Sequence, residues 1–398
     1  MASFSARFLG CKVSFADLQE IRERLVADGH VEASDGAEIA VVNTCCVTRE
    51  AVGKSRQAAA RAARSHRRVY VTGCAANLGS EAFAGLPDNV VVVARPSEET
   101  ATAVAAEVGA IGCMRAEHGL DRVRAFVKIQ DGCSFSCAFC VIPLVRGGTR
   151  SRKASAVLEE IRRRAAQGHR EIVLTGVNLG CFRDRDAGYD LARLVREAGA
   201  VESVARLRLS SIEINHVTEG LVDALRETPV VSRHLHVPLQ SGDDGILRAM
   251  GRRYTVAGFR RRLTPLDDFN LTTDVIVGFP GEDERAFTGT LAAVREIGFT
   301  KVHVFPYSPR PGTRTADDDT VPSRVKKDRS GRLRAASDAA SRARWRARVG
   351  GEDLVLVDRP GRGYADDYTP WLLDAPVGEL VRARAVGVSD EGVLAVCA

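Results

Sequence analysis

Asp131 to Cys140 reads DGCSFSCAFC, with Cys133, Cys137 and Cys140 at C-x3-C-x2-C spacing and Phe135 and Phe139 between them. Three thiolates in one tight loop hold either a zinc ion or a [4Fe–4S] cluster. A structural zinc site adds a fourth Cys or His close by. The loop has none, and neither Cys113 nor Cys181, the nearest other cysteines, has ligand-like spacing to it. A cubane held by three cysteines leaves one iron open, and an open metal position is where a small molecule binds directly. Three further cysteines, Cys11, Cys45 and Cys74, each come directly after an apolar run that reads as a strand. In a parallel open sheet the carboxyl ends of the strands share one edge, so residues far apart in sequence meet there. Each of these cysteines either packs as a small buried residue or serves as a ligand. Their shared position after successive strands favours a second three-thiolate site.

The elements that must position these cysteines fall into three regions. In the first, SARFLGC, AEIAVVNTC, RRVYVTGC and NVVVVARP read as strands. FADLQEIRERLVADGH and VTREAVGKSRQAAARAARSH read as helices between them, and this alternation predicts a parallel sheet covered by helices. In the second, which starts near Arg122, the strands are RAFVKIQ, EIVLTG, ARLRLSS, HLHVPLQ, LTTDVIVG and KVHVFPYS. Helical patterns such as SAVLEEIRRRAAQ and ERAFTGTLAAVREIG separate them, which makes six β/α units, three-quarters of an eight-fold barrel. DGCSFSCAFC, TGVNLG, SSIEI, PLQSG, GFPGE and PYSPRPGT follow these strands and should ring the mouth where barrel chemistry sits. Any βα loop needs turn residues. That each of these also carries Asn, Gln, Ser or Glu points to a site. In the third region, from about Glu352, EDLVLVD, WLLDAP, ELVRARAVGV and GVLAVCA predict a small β-barrel of a kind that often grips nucleic acid. The fold class expected is α/β: an N-terminal parallel βα domain, a partial (β/α)6 barrel and a small C-terminal β-barrel.

Composition agrees with several domains, since 398 residues exceed one ordinary core. No run of about 18 apolar residues occurs, and MASFSARFLGC lacks the apolar centre of a signal peptide. The expectation is a cytoplasmic protein with no membrane partner, whose ten cysteines are metal ligands or thiols rather than disulfides. The net charge of +6 is uneven, because residues 323–350 hold ten Lys/Arg against two Asp and leave the rest slightly acidic. Such a basic helix is either a solvated surface or a grip on a polyanion.

C-x3-C-x2-C after the first strand of a partial β/α barrel resembles the radical S-adenosylmethionine superfamily. Together with the N-terminal three-cysteine domain and the C-terminal β-domain, the whole chain resembles the methylthiotransferase family within it. The resemblance implies an N-terminal domain over 1–110, a radical core over 119–348 and a TRAM-like RNA-binding domain over 349–398. It also implies two [4Fe–4S] clusters and S-adenosylmethionine. Cys133, Cys137 and Cys140 would hold the radical cluster, with the cofactor's amino and carboxylate groups on the open iron. Cys11 in LGCKV, Cys45 in NTC and Cys74 in TGC would hold the auxiliary cluster. LGCKV, VVNTCCVT followed by KSRQ, VKIQDGCSFSCAFCVIP with RGGTRSR, and HLHVPLQSG look most like the branch that modifies threonylcarbamoyladenosine in tRNA. That branch implies 2-methylthiolation beside the anticodon. One S-adenosylmethionine would methylate a sulfur carried on the auxiliary cluster, and a second would yield the radical that activates C2. The implied partners are a tRNA anticodon stem-loop, an electron donor such as flavodoxin or ferredoxin, and a sulfur donor. The alternative targets are isopentenyladenosine in tRNA or a ribosomal protein. A reading from another class is a non-enzymatic Fe–S electron carrier or RNA-binding sensor, which needs neither an open iron nor a ring of cofactor loops.

The resemblance further implies cofactor contacts. Gly176 and Asn178 would meet the methionyl amine. Ser210 and Glu213 would meet ribose or carboxylate. Gln240 follows the fourth strand, and Gly278 would lie near the adenine. Each of these also suits a turn or cap. His234 and His236 share one face of a strand, directed either to the barrel interior or into a core. Arg146, Arg150, Arg152 and Lys153 are expected at the rim of the cysteine loop, and Lys54, Arg61, Arg64 and Arg68 on one helix face. With the 323–350 helix these would form a phosphate track. Trp345, Tyr364, Tyr368 and Trp371 would either stack on bases or pack in a core. Cys46, beside Cys45, either competes for the auxiliary iron or packs, and Ser14 stands where relatives often carry Asn. Cys113, Cys181 and Cys397 are expected to be thiols outside any cluster.

Overall fold

A computed structural model describes residues 2–33, 35–109 and 123–398; Cys113 and the expected boundary between the first two regions lie outside them. The chain forms two compact units. One comprises Met1–Gly119, Asp131–Arg150 and Ser308–Asp317, and the other Leu120–Gln130, Ser151–Tyr307 and Asp318–Ala398.

In the first unit the elements run β1 (Ser3–Phe8), α1 (Lys12–Ala27), β2 (Val31–Glu32), β3 (Ile39–Thr44), α2 (Arg49–Ala62), β4 (Arg68–Gly73), α3 (Cys74–Leu78), β5 (Val90–Val92) and α4 (Ser97–Val108). The strands form one parallel sheet in the order β2-β1-β3-β4-β5. Its two faces are filled by alternate residues of the wholly buried β3. Ile39 and Val41 pack with Phe4, Ile21 and Leu25, while Ala40 and Val42 pack with Ala59, Val71 and Ala75. The short edge strand β2 carries too few residues to show a period of two, and it was not expected.

Thr48 caps α2 by accepting from the Ala51 amide at 3.1 Å. At the other end Nδ1 of His66 lies 2.9 Å from the Ala62 carbonyl, where the helix stops. Arg64 therefore falls in the turn and Arg68 opens β4, so Lys54, Arg61, Arg64 and Arg68 do not share a helix face as expected.

In the second unit β6 (Arg124–Asp131, continuing into the first unit at Asp131), β8 (Glu171–Gly176), β11 (Arg206–Leu209), β12 (His234–His236), β13 (Asn270–Val277) and β14 (Lys301–Pro306) are the six barrel strands, and the two-residue strands β7 (Arg150–Ser151), β9 (Arg183–Asp184) and β10 (Tyr189–Asp190) fall between them in sequence. They pair in parallel as β11-β8-β6 and β12-β13-β14, with bridges at Leu207–Val231 and Ser211–His236 between the two sets. Alternate strand residues, among them Leu174, Leu207, Leu235, Leu271, Val275 and Val302, join Phe259, Phe287 and Val294 of the surrounding helices in one core. The intervening residues line the concave side and are largely polar, including Lys128, Thr175, Arg208, His236 and Asp274.

Five strands, β15 (Glu352–Arg359), β16 (Arg362–Tyr364), β17 (Pro370–Leu372), β18 (Leu380–Val388) and β19 (Val393–Cys397), close the C-terminal barrel. It is fastened to the amino ends of the six barrel strands. Arg206 donates to the carbonyls of Leu354 at 2.8 Å and Tyr364 at 3.1 Å, Arg208 to that of Asp366, and the Asn270 amide to that of Asp367. Tyr364 and Tyr368 stack at 4.8 Å with the Arg124 guanidinium over both rings. Trp371 is buried in the small barrel and Trp345 packs against the same core. Each of these aromatics thus takes part in packing.

The helices that follow α4 are α5 (Ile142–Arg146), α6 (Ala154–Ala166), α7 (Leu191–Gly199), α8 (Glu219–Glu227), α9 (Asp244–Ala249), α10 (Val256–Leu263), α11 (Glu284–Ile297) and α12 (Ser323–Arg346), and α12 is more internally engaged than its charge suggested. Of the ten cations in 323–350, Lys326, Arg329, Arg332, Arg342, Arg344 and Arg348 pair with carboxylates.

Candidate active site

Each of Cys11, Cys45 and Cys74 follows a strand of the parallel sheet, at its carboxyl edge: Cys11 caps α1 after β1, Cys45 follows β3, and Cys74 opens α3 after β4. Gly73 makes the last turn possible. Its φ is +90°, and a Cβ there would meet the Asn43 side-chain oxygen at 2.3 Å. Ser55 braces Cys45, its hydroxyl lying 3.2 Å from the Cys45 amide.

The three thiols are close enough to bear on one another. Burial pushes the Cys45 thiol up to about 11, and neighbouring Cys74 and Cys11 push it the same way. Cys46 is buried beneath them and hydrogen-bonded to Cys74. That bond and burial hold Cys46 as the neutral donor. The same bond, opposed by burial and aided by Arg146, brings Cys74 down to about 7. Arg146 donates from Nε to Cys74 Sγ at 3.1 Å, from Nη2 to Asp17 at 2.7 Å and from Nη1 to Asp131 at 3.1 Å. No disulfide joins the nine described cysteines. A convergent set of thiols, one of them poised as thiolate, fits an iron–sulfur cluster.

The Cys133–Cys140 loop leaves the carboxyl end of β6. It is closed on itself by Cys133 N to Gly147 O at 3.0 Å and by reciprocal Ser134–Thr149 bonds at 3.1 and 3.0 Å. Gly132, at φ +66°, lets it pass Gly148, whose carbonyl would lie 2.0 Å from a Cβ. Thr315 and Arg314 hold the Ala138 and Ser136 carbonyls. The Phe135 amide points at Cys133 Sγ at 3.5 Å, and all three thiols are half-buried. Amides aimed at sulfur and a rigid thiolate loop suit a cluster whose potential is tuned by such bonds.

Residues 127–294 match the radical SAM superfamily, and residues 3–94 match the uncharacterized protein family UPF0004. The chain is 34% identical to a threonylcarbamoyladenosine tRNA methylthiotransferase of Thermotoga maritima, over 97% of this chain and 94% of that one. It is 35% identical to the protein of the same name from Bacillus subtilis, over 96% and 94%. It is 33% identical to a tRNA-2-methylthio-N(6)-dimethylallyladenosine synthase of Paracoccus denitrificans, over 94% and 92%.

This chain belongs to the radical S-adenosylmethionine methylthiotransferase family. Its fold is shared with the radical S-adenosylmethionine methyltransferase TsrM of Kitasatospora setae, at TM-score 0.59 and 15% identity over 79% of this chain and 75% of that one. The enzyme is thus a radical enzyme that transfers a sulfur-containing group, and the superfamily's cofactors are S-adenosylmethionine and a [4Fe–4S] cluster.

The other expected site residues lie at the carboxyl ends of the barrel strands. Gly176 ends β8 against Gln130, whose Oε1 accepts from the Asn178 amide at 2.7 Å. Ser210 follows β11, and its buried hydroxyl has no partner among the described residues; nor does that of Thr175, at the end of β8. Orphaned buried hydroxyls at this end fit a polar ligand. Glu213 instead accepts from the Asn215 amide at 2.8 Å and side chain at 3.0 Å, so its carboxylate caps a turn. Gln240 adopts φ +67° and joins the sheet through its backbone, between Asp274 O and Ile276 N. The Gly278 amide donates to Glu282, which Arg329 holds at 2.8 Å.

Arg146 is buried at the cysteine cluster rather than on a rim. Arg150 donates to the Arg146 and Gly148 carbonyls. Arg152 donates to Lys128 O and Glu160, and Lys153 pairs with Asp186. Arg146 is thus buried away from the expected phosphate track, and Arg150, Arg152 and Lys153 each have protein partners. The Arg146–Asp17 pair was missed because no pattern links residues so far apart in sequence. Cys181 has a partner, Nε2 of His216 at 3.3 Å, and Cys397 lies 3.6 Å from the Asp374 carbonyl.

Proposed function

We propose that this enzyme places a methylthio group on C2 of N6-threonylcarbamoyladenosine beside the anticodon of tRNA. The observation that carries this reading is 31–35% identity, over 96–98% of the chain, to three relatives bearing that name. We assign the radical cluster to Cys133, Cys137 and Cys140, the auxiliary cluster to Cys11, Cys45 and Cys74, and the cofactor to the loops at Gly176, Asn178, Ser210, Glu213, Gln240 and Gly278. The domain limits proposed are 1–110, 119–348 and 349–398, the last a TRAM-like RNA-binding module. When bound, the radical cluster supplies the electron that cleaves S-adenosylmethionine, and the auxiliary cluster carries the sulfur to be transferred.

The chain's own residues prepare the site. The hydrogen bond from Cys46 and the Arg146 guanidinium both favour the thiolate of Cys74. Gln130 fixes the backbone of the Asn178 turn, and the Thr175 and Ser210 hydroxyls have no partner among the described residues. An external electron donor, such as flavodoxin or ferredoxin, and a sulfur donor complete the turnover, in the cytoplasm. Among the described residues no helix is long and apolar enough to cross a membrane.

The similarity to a dimethylallyladenosine synthase supplies the second reading. Nucleosides from the tRNA of a strain lacking the gene separate the two by mass spectrometry. Loss of the 2-methylthio form of threonylcarbamoyladenosine, with the unmodified form accumulating, is expected. Loss of the 2-methylthio form of dimethylallyladenosine instead would transfer the assignment to that nucleoside. An unchanged tRNA profile would reject both and leave a protein target.

A further inference from the structure

His236, Asp274 and His303 stand on three adjacent parallel strands of the radical barrel, β12, β13 and β14. All three alternate with core residues, His236 between Leu235 and Val237, Asp274 before Val275, and His303 after Val302, so they face the concave side. Asp274 and His303 are in register with each other. One potential ligand atom from each of the three lies within 4.8 Å of the other two. His236 Nε2 is 3.3 Å from the Asp274 carboxylate, and the His236 and His303 rings are 5.5 Å apart.

The second nitrogen of His236 is already fixed. Its Nδ1 lies 2.9 Å from the Thr272 hydroxyl, which also holds Nε2 of His234 at 3.1 Å. Nε2 of His236 is thereby aimed at Asp274. An imidazole oriented through its other nitrogen by a neighbouring polar group is the usual arrangement around a bound metal.

We infer that His236, Asp274 and His303 bind a divalent first-row transition metal ion inside the barrel, separate from the cysteine sites. Two imidazoles and one carboxylate form the set that holds such ions while leaving coordination positions open. Those positions face the concave side and suit an anionic or hydroxyl oxygen. Binding draws the three side chains together, with His303 making the largest movement because it is exposed on the outer strand.

Mn2+ tests the site because it prefers nitrogen and oxygen to thiolate. It is titrated into the full-length protein carrying oxidised, EPR-silent clusters, and unbound ion is read from its six-line EPR signal. The wild type is expected to take up about one Mn2+ per chain that Asp274→Asn and His303→Gln both fail to bind. Thr272→Val should weaken that binding roughly ten- to hundred-fold, with iron content unchanged in every variant. Absence of Mn2+ binding by the wild type would overturn the inference. So would equal stoichiometry in the wild type and in His303→Gln.

Discussion

Arg146 Nε lies 3.1 Å from Cys74 Sγ, so the helix that closes the Cys133–Cys140 loop also supplies the positive charge beside the N-terminal thiols. The guanidinium spends its other two nitrogens on Asp17 and Asp131, and all three partners are buried. Replacing it by Met strands two buried carboxylates, which should cost about 3–5 kcal/mol. Lys keeps the charge but not the planar fork and should recover only part of that loss. Chemical denaturation should rank wild type above Arg146→Lys above Arg146→Met. Iron bound by the N-terminal site should fall in the same order. Wild-type stability and iron in Arg146→Met would show that the pair of aspartates does not need it.

Cys45 and Cys46 are adjacent in sequence and differ in what surrounds them. Cys45 is near both Cys11 and Cys74, whereas Cys46 is buried and donates a hydrogen bond to Cys74. Cys45→Ala should therefore lose about four irons per chain after anaerobic reconstitution, and Cys46→Ala should lose none. The reverse result would make Cys46 the ligand.

Glu171 carries the charge balance at the other end of the barrel. Burial pushes its carboxyl up, but Arg208, Arg124 and Arg206 outweigh that and bring it from 4.5 down to about 2. A carboxylate lowered on folding stabilises the folded state above its unfolded value, and the benefit disappears as pH falls from about 4.5 toward about 2. The shift corresponds to about 3 kcal/mol. Glu171→Gln should be less stable by a similar amount at neutral pH and should lose less on acidification. Both tryptophans, Trp345 and Trp371, pack in or against the small barrel that these arginines fasten, so their fluorescence in urea reports the effect. Parallel acid profiles for the two proteins would contradict the assignment.

Strand ends and thiol spacing were legible because they are periodic or local. Cys11, Cys45 and Cys74 could be placed on one sheet edge from alternation alone, and the six barrel strands from their apolar runs. What was not legible depends on long-range pairing. Arg146 and the arginines of α12 read as surface charge, since nothing local shows that Asp17, Glu282 or Asp367 will meet them. The stacking of Tyr364 on Tyr368 beneath Arg124 was hidden for the same reason: an aromatic in a short strand packs or projects according to what docks on it. Glu213 illustrates the converse, a polar residue after a strand whose capping role competes with ligand binding.

A tRNA contact on α12 is expected where its cations are left over. Arg324, Lys327 and Arg334 are exposed, fall on one stripe at helical spacing, and take part in no ion pair among the described residues. Arg344, on the same helix, is committed to Asp367 at 2.6 Å. Each phosphate contact releases counterions and steepens the fall of affinity with salt, by about 0.7–0.9 in the log–log slope. Changing the three exposed cations to Gln should lower affinity for an anticodon stem-loop and flatten that slope by about two. Arg344→Gln should destabilise the attachment of the small barrel and leave the slope unchanged. An unaltered slope in the triple variant would place the phosphate contacts on another surface. A flattened slope in Arg344→Gln alone would mean that the small barrel's position, rather than the helix charge, governs RNA binding.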